Sequence, residues 1–179
     1  GCNQLTREVR IINGINRIDI INTVDKSDIL EPEAIHFAFP FSIPGGQIRL
    51  STQWNYYNPL NELLPGSNKN FFSVNRWADV SNDQYGVTWV SIDAPLIELD
   101  KITMDEIEYG WVKEVPQTQN ILSYVMNNYW ETNYKASQGG KSVFRYSVFP
   151  HSGFDPVQSE KWGVECHQPL ISIAADSSA

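Results

Sequence analysis

The amino-acid sequence predicts an all-β protein, an antiparallel β-sandwich with at most one short helix near its carboxyl end. Apolar residues rarely recur at helical spacing, whereas short runs that alternate apolar and polar residues recur along the chain. Asn, Gly and Pro separate these runs, as turn residues separate the strands of a sandwich. The 179 residues, 41% of them hydrophobic, suffice for one substantial core. We therefore expect a single domain over residues 1–179.

The first two strands are predicted to form a hairpin. Residues Glu8 to Ile12 and Arg17 to Val24 flank Asn13-Gly14, a dipeptide whose access to positive φ suits a tight turn. Alternation in the second strand turns one face inward, with an asparagine as the exception among apolar residues: Ile18, Ile20, Asn22 and Val24.

The third predicted strand, Ala34 to Phe41, places its apolar side chains on one face. These are Ile35, Phe37, Phe39 and Phe41. His36 belongs to the opposite face, which predicts a surface or cross-strand residue. Pro40 favours a position at the edge of a sheet, because proline cannot donate a hydrogen bond to a neighbouring strand.

Two glycines, Gly45-Gly46, are predicted to turn the chain into a strand over Gln47 to Thr52. Residues Trp54 to Ser67 then carry two prolines and several asparagines, which predicts a long loop. Loops of this length are often functional.

A second hairpin is predicted from Phe71 to Asp79 and Tyr85 to Ile92, around the turn Ser81 to Gln84. In this hairpin Phe72 and Val74 would lie on the same face as Val87 and Trp89.

The third predicted strand pair is Asn120 to Asn127 with Ser142 to Pro150. The segment that connects these two strands would lie at one end of the sandwich. Behind them, Asp155, Pro156 and Gln158 occupy the positions of an N-cap, a first-turn proline and a capping-box residue, which predicts a short helix.

Composition excludes several classes of function. The formal charge of −8 has no Lys/Arg cluster, which opposes binding to nucleic acids and to anionic membranes. No stretch approaches the apolar length of a membrane span, and the amino terminus lacks a signal-peptide pattern. Cys2 and Cys166 are expected as free thiols rather than a disulfide. The compartment stays open, and a bacterial periplasmic or secreted location is the preferred expectation.

Motifs for catalysis are missing from the sequence. The three histidines are far apart, and no metal-binding spacing, nucleophile elbow or phosphate loop occurs. Asp79, Asp83 and Asp93 are interpreted as turn formers that bond to nearby backbone. We therefore predict no catalytic residue and no metal site in this chain.

The run Met126 to Gly140, MNNYWETNYKASQGG, has the composition of a sugar-binding loop. Amides and carboxylates grip paired hydroxyls, while an indole lies against the apolar face of a pyranose. A polar loop whose Asn and Thr side chains cap their own backbone is the alternative.

This run and three other motifs resemble, in the same order, the carboxy-terminal β-domain of glycoside hydrolase family 38 α-mannosidases. The other motifs are HFAFPF (His36 to Phe41), LPGS (Leu64 to Ser67) and RWADVSND followed by DAPL (Arg76 to Leu96). The resemblance covers most of the chain and is greatest to bacterial members. It implies one part of a supersandwich of the galactose-mutarotase type.

The resemblance also implies that zinc and the nucleophilic aspartate belong to an amino-terminal barrel, which these residues do not include. This chain alone would then be inactive, and its partners would be that barrel and a mannose-containing glycan. An excised domain would expose the apolar surface that once packed on the barrel, so we expect self-association. The residues implied to line the sugar cleft are Asn127, Asn128, Trp130, Glu131, Thr132, Asn133 and Gln138.

Two other functions stay open at the level of the sequence. Six tryptophans and the Asn/Trp/Glu cluster are also typical of an autonomous carbohydrate-binding module. A purely structural domain with all of its aromatic residues in the core is the third possibility.

Overall fold

A computed structural model describes residues 1–103, 112–128 and 135–173. These residues form eleven strands and one helix, which in chain order are β1 Cys2–Ile11, β2 Ile18–Lys26, β3 Ala34–Pro40, β4 Gln47–Ser51, β5 Tyr56–Tyr57, β6 Phe72–Ser73, β7 Trp77–Ser81, β8 Gly86–Ser91, β9 Leu96–Leu99, β10 Asn120–Asn127, β11 Gly140–His151 and α1 Pro156–His167.

The strands make two antiparallel sheets. The larger sheet has seven strands in the order β1-β2-β11-β8-β7-β4-β5, and the smaller has four in the order β3-β10-β9-β6. The predicted all-β sandwich with one short carboxy-terminal helix is confirmed by this arrangement.

The core lies between the two sheets and is rich in aromatic residues. Phe39 contacts both Trp89 and Tyr146, with ring centroids 5.2 and 4.7 Å apart. The hydroxyl of Tyr146, on β11, donates to Ser123 Oγ of β10 at 2.9 Å, so the two sheets are joined by a buried hydrogen bond as well as by apolar packing.

A second apolar cluster fixes α1 to the outer face of the larger sheet. Trp77, Val90 and Phe149 are buried there, and Trp162 of the helix stacks on Phe149 with centroids 4.8 Å apart. The predicted N-cap is confirmed, because Asp155 Oδ1 accepts from the backbone N–H of Val157 at 2.9 Å.

The first hairpin is confirmed, and β1 begins earlier than expected, at Cys2. Gly14 takes a φ of +81°, as the Asn-Gly dipeptide predicted. The inward face of β2 is also confirmed. Its exceptional Asn22 is fully buried and accepts a hydrogen bond at 2.8 Å from Arg7 Nε, which explains a polar residue at that position.

Strand β3 turns Phe37 and Phe39 into the core and forms an edge of the smaller sheet among the described residues, as the sequence predicted. His36 lies on the opposite face and is paired with Tyr124 of β10 in register. The cross-strand interpretation is therefore confirmed, but the side chain is only 5% exposed and is not a surface residue.

The second predicted hairpin is confirmed where β7 pairs with β8. A single strand over Phe71 to Asp79 was wrong, because this segment supplies strands to both sheets. Strand β6 pairs with β9 in the smaller sheet, and β7 pairs with β8 in the larger. Phe72 lies opposite Ile97 and not beside Val87. Between the two strands, the Ser51 hydroxyl accepts from the N–H groups of Arg76 and Trp77, which holds the crossing.

The predicted pairing of β10 with β11 was also wrong. Strand β10 pairs with β3 and β9, whereas β11 pairs with β2 and β8. The alternation of apolar and polar residues shows which side of a strand is apolar, but it does not show which sheet the strand joins. The sequence therefore could not distinguish a hydrogen-bonded pair from two strands, β10 and β11, that face each other across the core.

Candidate functional site

The described residues of the sugar-like run, 126–128 and 135–140, lie at one end of the sandwich, where β2 and β10 end and β3 and β11 begin. Asn127, Asn128 and Gln138 belong to the described residues. Trp130, Glu131, Thr132 and Asn133 lie outside them. The cleft role of all seven residues therefore stays a prediction.

Asn128 clamps the loop between β2 and β3. Its side chain is 7% exposed, and its Nδ2 donates to the carbonyl oxygens of Ile29 and Glu31, both at 3.0 Å. Its Oδ1 accepts from the N–H of Glu33 at 2.8 Å. The amide of Asn128 thus binds the backbone of a neighbouring loop, whereas the capping alternative had predicted the backbone of its own run.

Gln138 binds the end of β10, at the other end of the connection between β10 and β11 from Asn128. Its Oε1 accepts from the backbone N–H of Asn127 at 3.0 Å, and its side chain is exposed. Next to it, a Cβ on Gly139 would lie only 2.7 Å from Cβ of Asp28, so glycine is needed there for a close approach of two loops. Gly140 follows with a φ of +106°.

A buried ion pair supports this end of the sandwich. The ammonium of Lys26, at the end of β2, is almost fully buried and contacts the Glu33 carboxylate. The hydrogen bond from Lys26 holds the pKa of Glu33 below its usual value. The end of the sandwich is therefore a rigid polar surface, held by side chains of two neighbouring connections.

A second concave surface lies between residues 52–56 and helix α1 and encloses about 770 Å³. We call it the Trp54 groove. Trp54 is 96% exposed at the tip of a turn that starts at Thr52 and ends at Asn55. Thr52 donates to the Asn55 carbonyl oxygen through its N–H at 2.6 Å and its hydroxyl at 2.8 Å. The hydroxyl also accepts from the Asn55 N–H at 3.1 Å.

The floor of the Trp54 groove combines aromatic rings with a positioned carboxylate. Trp77 Nε1 donates to Glu160 Oε2 at 2.9 Å, and Arg76 Nη1 donates to Glu160 Oε1 at 2.7 Å. The ring of Tyr56 packs against Trp77 with centroids 6.1 Å apart. Further groove residues come from the exposed turn and from α1: Gln53, Asn55, Pro156, Val157, Lys161, Val164 and Glu165.

The sequence predicted a functional long loop that begins at Trp54, but it did not predict the groove. Its two walls are far apart in the chain, and the short helix signal carried no information about where α1 docks. In the sequence, the available signal was a tryptophan at the start of a predicted long loop.

A polar network lies buried beneath α1. Asp79 is fully buried on β7, where Oδ2 accepts from Thr88 Oγ1 at 2.9 Å and lies 2.8 Å from His151 Nε2. Thr88 Oγ1 lies 2.9 Å from Ser159 Oγ on α1. Because Thr88 and Ser159 are also buried, the network fastens the helix to the sheet and presents no group to a substrate.

The turn-former interpretation was wrong for Asp79, which is a buried strand residue. Asp83 does lie in the turn between β7 and β8. Asp93 follows β8 and accepts from the Arg145 N–H at 2.8 Å and from its guanidinium at 2.9 and 2.8 Å. Asp93 therefore binds a residue of the neighbouring strand β11 and not the backbone of its own turn.

Glu98 and His36 form a second buried polar group, on the outer face of the smaller sheet. Their Oε2 and Nε2 atoms are 2.6 Å apart, and the His36 ring stacks on Tyr124 with centroids 4.3 Å apart. Thr103 donates to Glu98 Oε1 from its N–H at 3.0 Å and its hydroxyl at 2.7 Å. Burial alone would raise the pKa of Glu98, but the contacts with His36 and Thr103 outweigh it and the pKa lies below its usual value.

Within residues 1–103, 112–128 and 135–173, no group of three or more His, Cys, Asp or Glu side chains is placed to hold a metal ion. None of these residues forms a helix with the length and hydropathy that a bilayer crossing requires. No protein-family model matches the chain, and a search of curated proteins returns no match.

Proposed function

We propose that this chain is a non-catalytic β-sandwich domain of an α-mannosidase-like glycoside hydrolase. It supports the catalytic barrel and supplies groups that position the glycan. The order of the four sequence motifs and the all-β architecture support the proposal. The observation that carries it is the anchoring of the sugar-like run at both of its ends, by Asn128 on one side and Gln138 on the other.

Anchoring matters because a binding group is effective only when its geometry is set before the ligand arrives. Asn128 and Gln138 use backbone groups to fix the two ends of the connection. Trp130 would then offer its indole to a pyranose face, and Glu131 and Asn133 would accept from or donate to sugar hydroxyls. In the parent enzyme the barrel's zinc would bind mannose hydroxyls, which is chemistry that this chain does not supply.

The activity of the isolated chain tests the non-catalytic part of the proposal. We expect no hydrolysis of an aryl α-mannoside, with or without added zinc. Zinc-dependent turnover by the purified 179-residue chain would overturn it. The coding sequence upstream of Gly1 tests the rest, because a barrel with Asp and His metal ligands should be encoded there.

An autonomous carbohydrate-binding module is the second candidate, and the exposed indole of Trp54 favours it. Titration calorimetry with mannose oligomers separates the two functions. An independent module should bind with about −4 to −8 kcal/mol, which is a millimolar to micromolar Kd, whereas half of a divided cleft should bind barely at all.

A purely structural domain is the third candidate, and the burial of Trp77 and Trp89 in the sandwich is the observation on its side. Trp130→Ala in the full-length enzyme discriminates. Lost stability with normal kinetics would favour the structural role, and reduced turnover at unchanged stability would favour the cleft role.

A further inference from the structure

We infer that the Trp54 groove is a saccharide-binding subsite, separate from the sugar-like run Met126 to Gly140. Its ligand would be an uncharged pyranose unit of an oligosaccharide, stacked on the Trp54 indole. The inference does not depend on the mannosidase proposal, because none of the residues that line the groove belongs to that run.

The indole of Trp54 adds almost nothing to the packing of the described residues. Trp77 and Trp89 are buried, whereas Trp54 leaves 96% of its surface in water. Three hydrogen bonds between Thr52 and Asn55 hold the turn that carries it. An aromatic ring on such a turn loses little further backbone freedom when a ligand stacks on it, so more of the contact energy is left for binding.

Polar groups of the correct type line the same groove as the indole. Glu160 is held by Trp77 and Arg76 through one oxygen each, and each oxygen keeps a lone pair that can accept from a sugar hydroxyl. Gln53 and Asn55 flank Trp54 on the exposed turn and can both donate and accept. An apolar ring face bordered by planar amides and a fixed carboxylate is the combination that recognises a pyranose.

Charge and size select the class of ligand. Glu160 and Glu165 line the groove with Lys161, and the guanidinium of Arg76 is paired with Glu160. Among the described residues the groove therefore has no cluster of cations that would select an anionic ligand such as a phosphate or a nucleic acid. The volume of about 770 Å³ is in the range of small-ligand sites, which are roughly 300–1,000 Å³. A space of this size can take one or two sugar units.

Titration calorimetry on the 179-residue chain, with mannotriose and cellotriose as probes up to about 10 mM, tests the inference. We expect one of them to bind with a millimolar or lower Kd and to shift the tryptophan fluorescence. Trp54→Ala should weaken binding at least about tenfold, and Trp54→Phe should keep part of it. Thermal unfolding should not change in either variant, because the side chain is exposed.

Leu64→Ala is the matched control, since Leu64 is 78% exposed and lies outside the groove. It should leave binding unchanged. Gln53→Ala adds a polar variant on the exposed turn, where a folding defect is not expected, and it should weaken binding. Equal binding by the parent chain and the Trp54 and Gln53 variants would overturn the inference.

Trp130→Ala separates this site from the proposed cleft. Binding that is lost in Trp130→Ala and kept in Trp54→Ala would overturn the Trp54 inference and would assign the binding to the sugar-like run, as expected of an independent module. No binding of either probe by the parent chain would also overturn it, whereas the mannosidase proposal would still be decided by the upstream coding sequence. A structure of the longer protein with Trp54 packed against another domain would assign the groove to a protein contact and would likewise refute the inference.

Discussion

At the scale of single residues, specific hydrogen-bond partners offset the cost of burying a charged side chain in this sandwich. Asp79 is fully buried and accepts hydrogen bonds from Ser81 and Thr88, with His151 2.8 Å away and the Arg49 guanidinium 3.6 Å away. Transfer of a carboxylate from water to such a position is costly unless its lone pairs are satisfied. Each partner therefore matters more to stability than an equivalent contact at the surface would.

Asp79→Ala should lower the free energy of unfolding by about 3 kcal/mol, because it leaves several buried polar groups without their acceptor. Urea denaturation measures the change. Asp83→Ala, at an exposed position of the neighbouring turn, is the control and should stay within about 0.5 kcal/mol of the parent. Similar effects of the two variants would contradict the role that we assign to the buried network.

Glu98 should make stability fall in acid. Its folded-state pKa lies below the unfolded value of about 4.3, so its stabilising contribution is complete above that value and is lost as the pH falls through the folded pKa. Unfolding free energies measured from pH 7 to pH 3 should therefore decline more steeply in the parent chain than in Glu98→Gln, and the two curves should converge in acid. Parallel curves would show that Glu98 contributes nothing to the acid sensitivity.

At the scale of elements, α1 depends on its ends and on its contacts with the sheet. The helix has twelve residues, a length at which isolated helices are marginal in water. Asp155 satisfies two of its first N–H groups, from Val157 and Gln158. Gly163 allows close packing, since a Cβ there would lie 2.9 Å from Cβ of Arg76.

Asp155→Ala should destabilise the chain by about 1 kcal/mol, because it removes the acceptor of these N–H groups. Asp155→Asn should have only a small effect, since asparagine is an equally good N-cap. Thermal or urea unfolding of the two variants provides the comparison. A loss in Asp155→Asn as large as that in Asp155→Ala would point to charge rather than capping.

At the scale of the whole molecule, the two sheets differ in width. The larger sheet ends at β1, and the smaller sheet ends at β3. Leu5, Val9 and Ile11 are paired with core-facing residues of β2, yet all three are more than half exposed. The described part of the smaller sheet thus leaves an apolar strip on β1 without cover.

This strip should drive self-association of the isolated chain. The resemblance to one domain of a larger enzyme led to the same expectation. Replacing Leu5, Val9 and Ile11 together with serine should shift the chain towards monomer in sedimentation velocity experiments. Val143→Ser, on the outer face of the same sheet, is the control and should change nothing. A parent chain that is monomeric at the highest measurable concentration would contradict the expectation.

Local patterns were sufficient for much of the fold. The alternation of Phe37 and Phe39, the Asn13-Gly14 turn, the bounds of β10 and the Asp155 cap are each set by residues within a few positions of one another, so they could be predicted correctly. The prediction that β10 pairs with β11 was wrong, because the choice of partner depends on how the apolar faces of all strands are covered together.

The candidate sites, like the fold, were determined in part by the sequence and in part by the tertiary structure. The amino-acid sequence by itself determined the all-β class and located a run of sugar-like composition between two strands. Only the tertiary structure assigned Asn128 to the backbone of a neighbouring loop and Asp79 to a buried network. It also brought the Trp54 turn against α1. The physical reason is that hydrogen-bond partners and grooves are made by segments far apart in the chain, whose meeting is decided by the burial of the whole core.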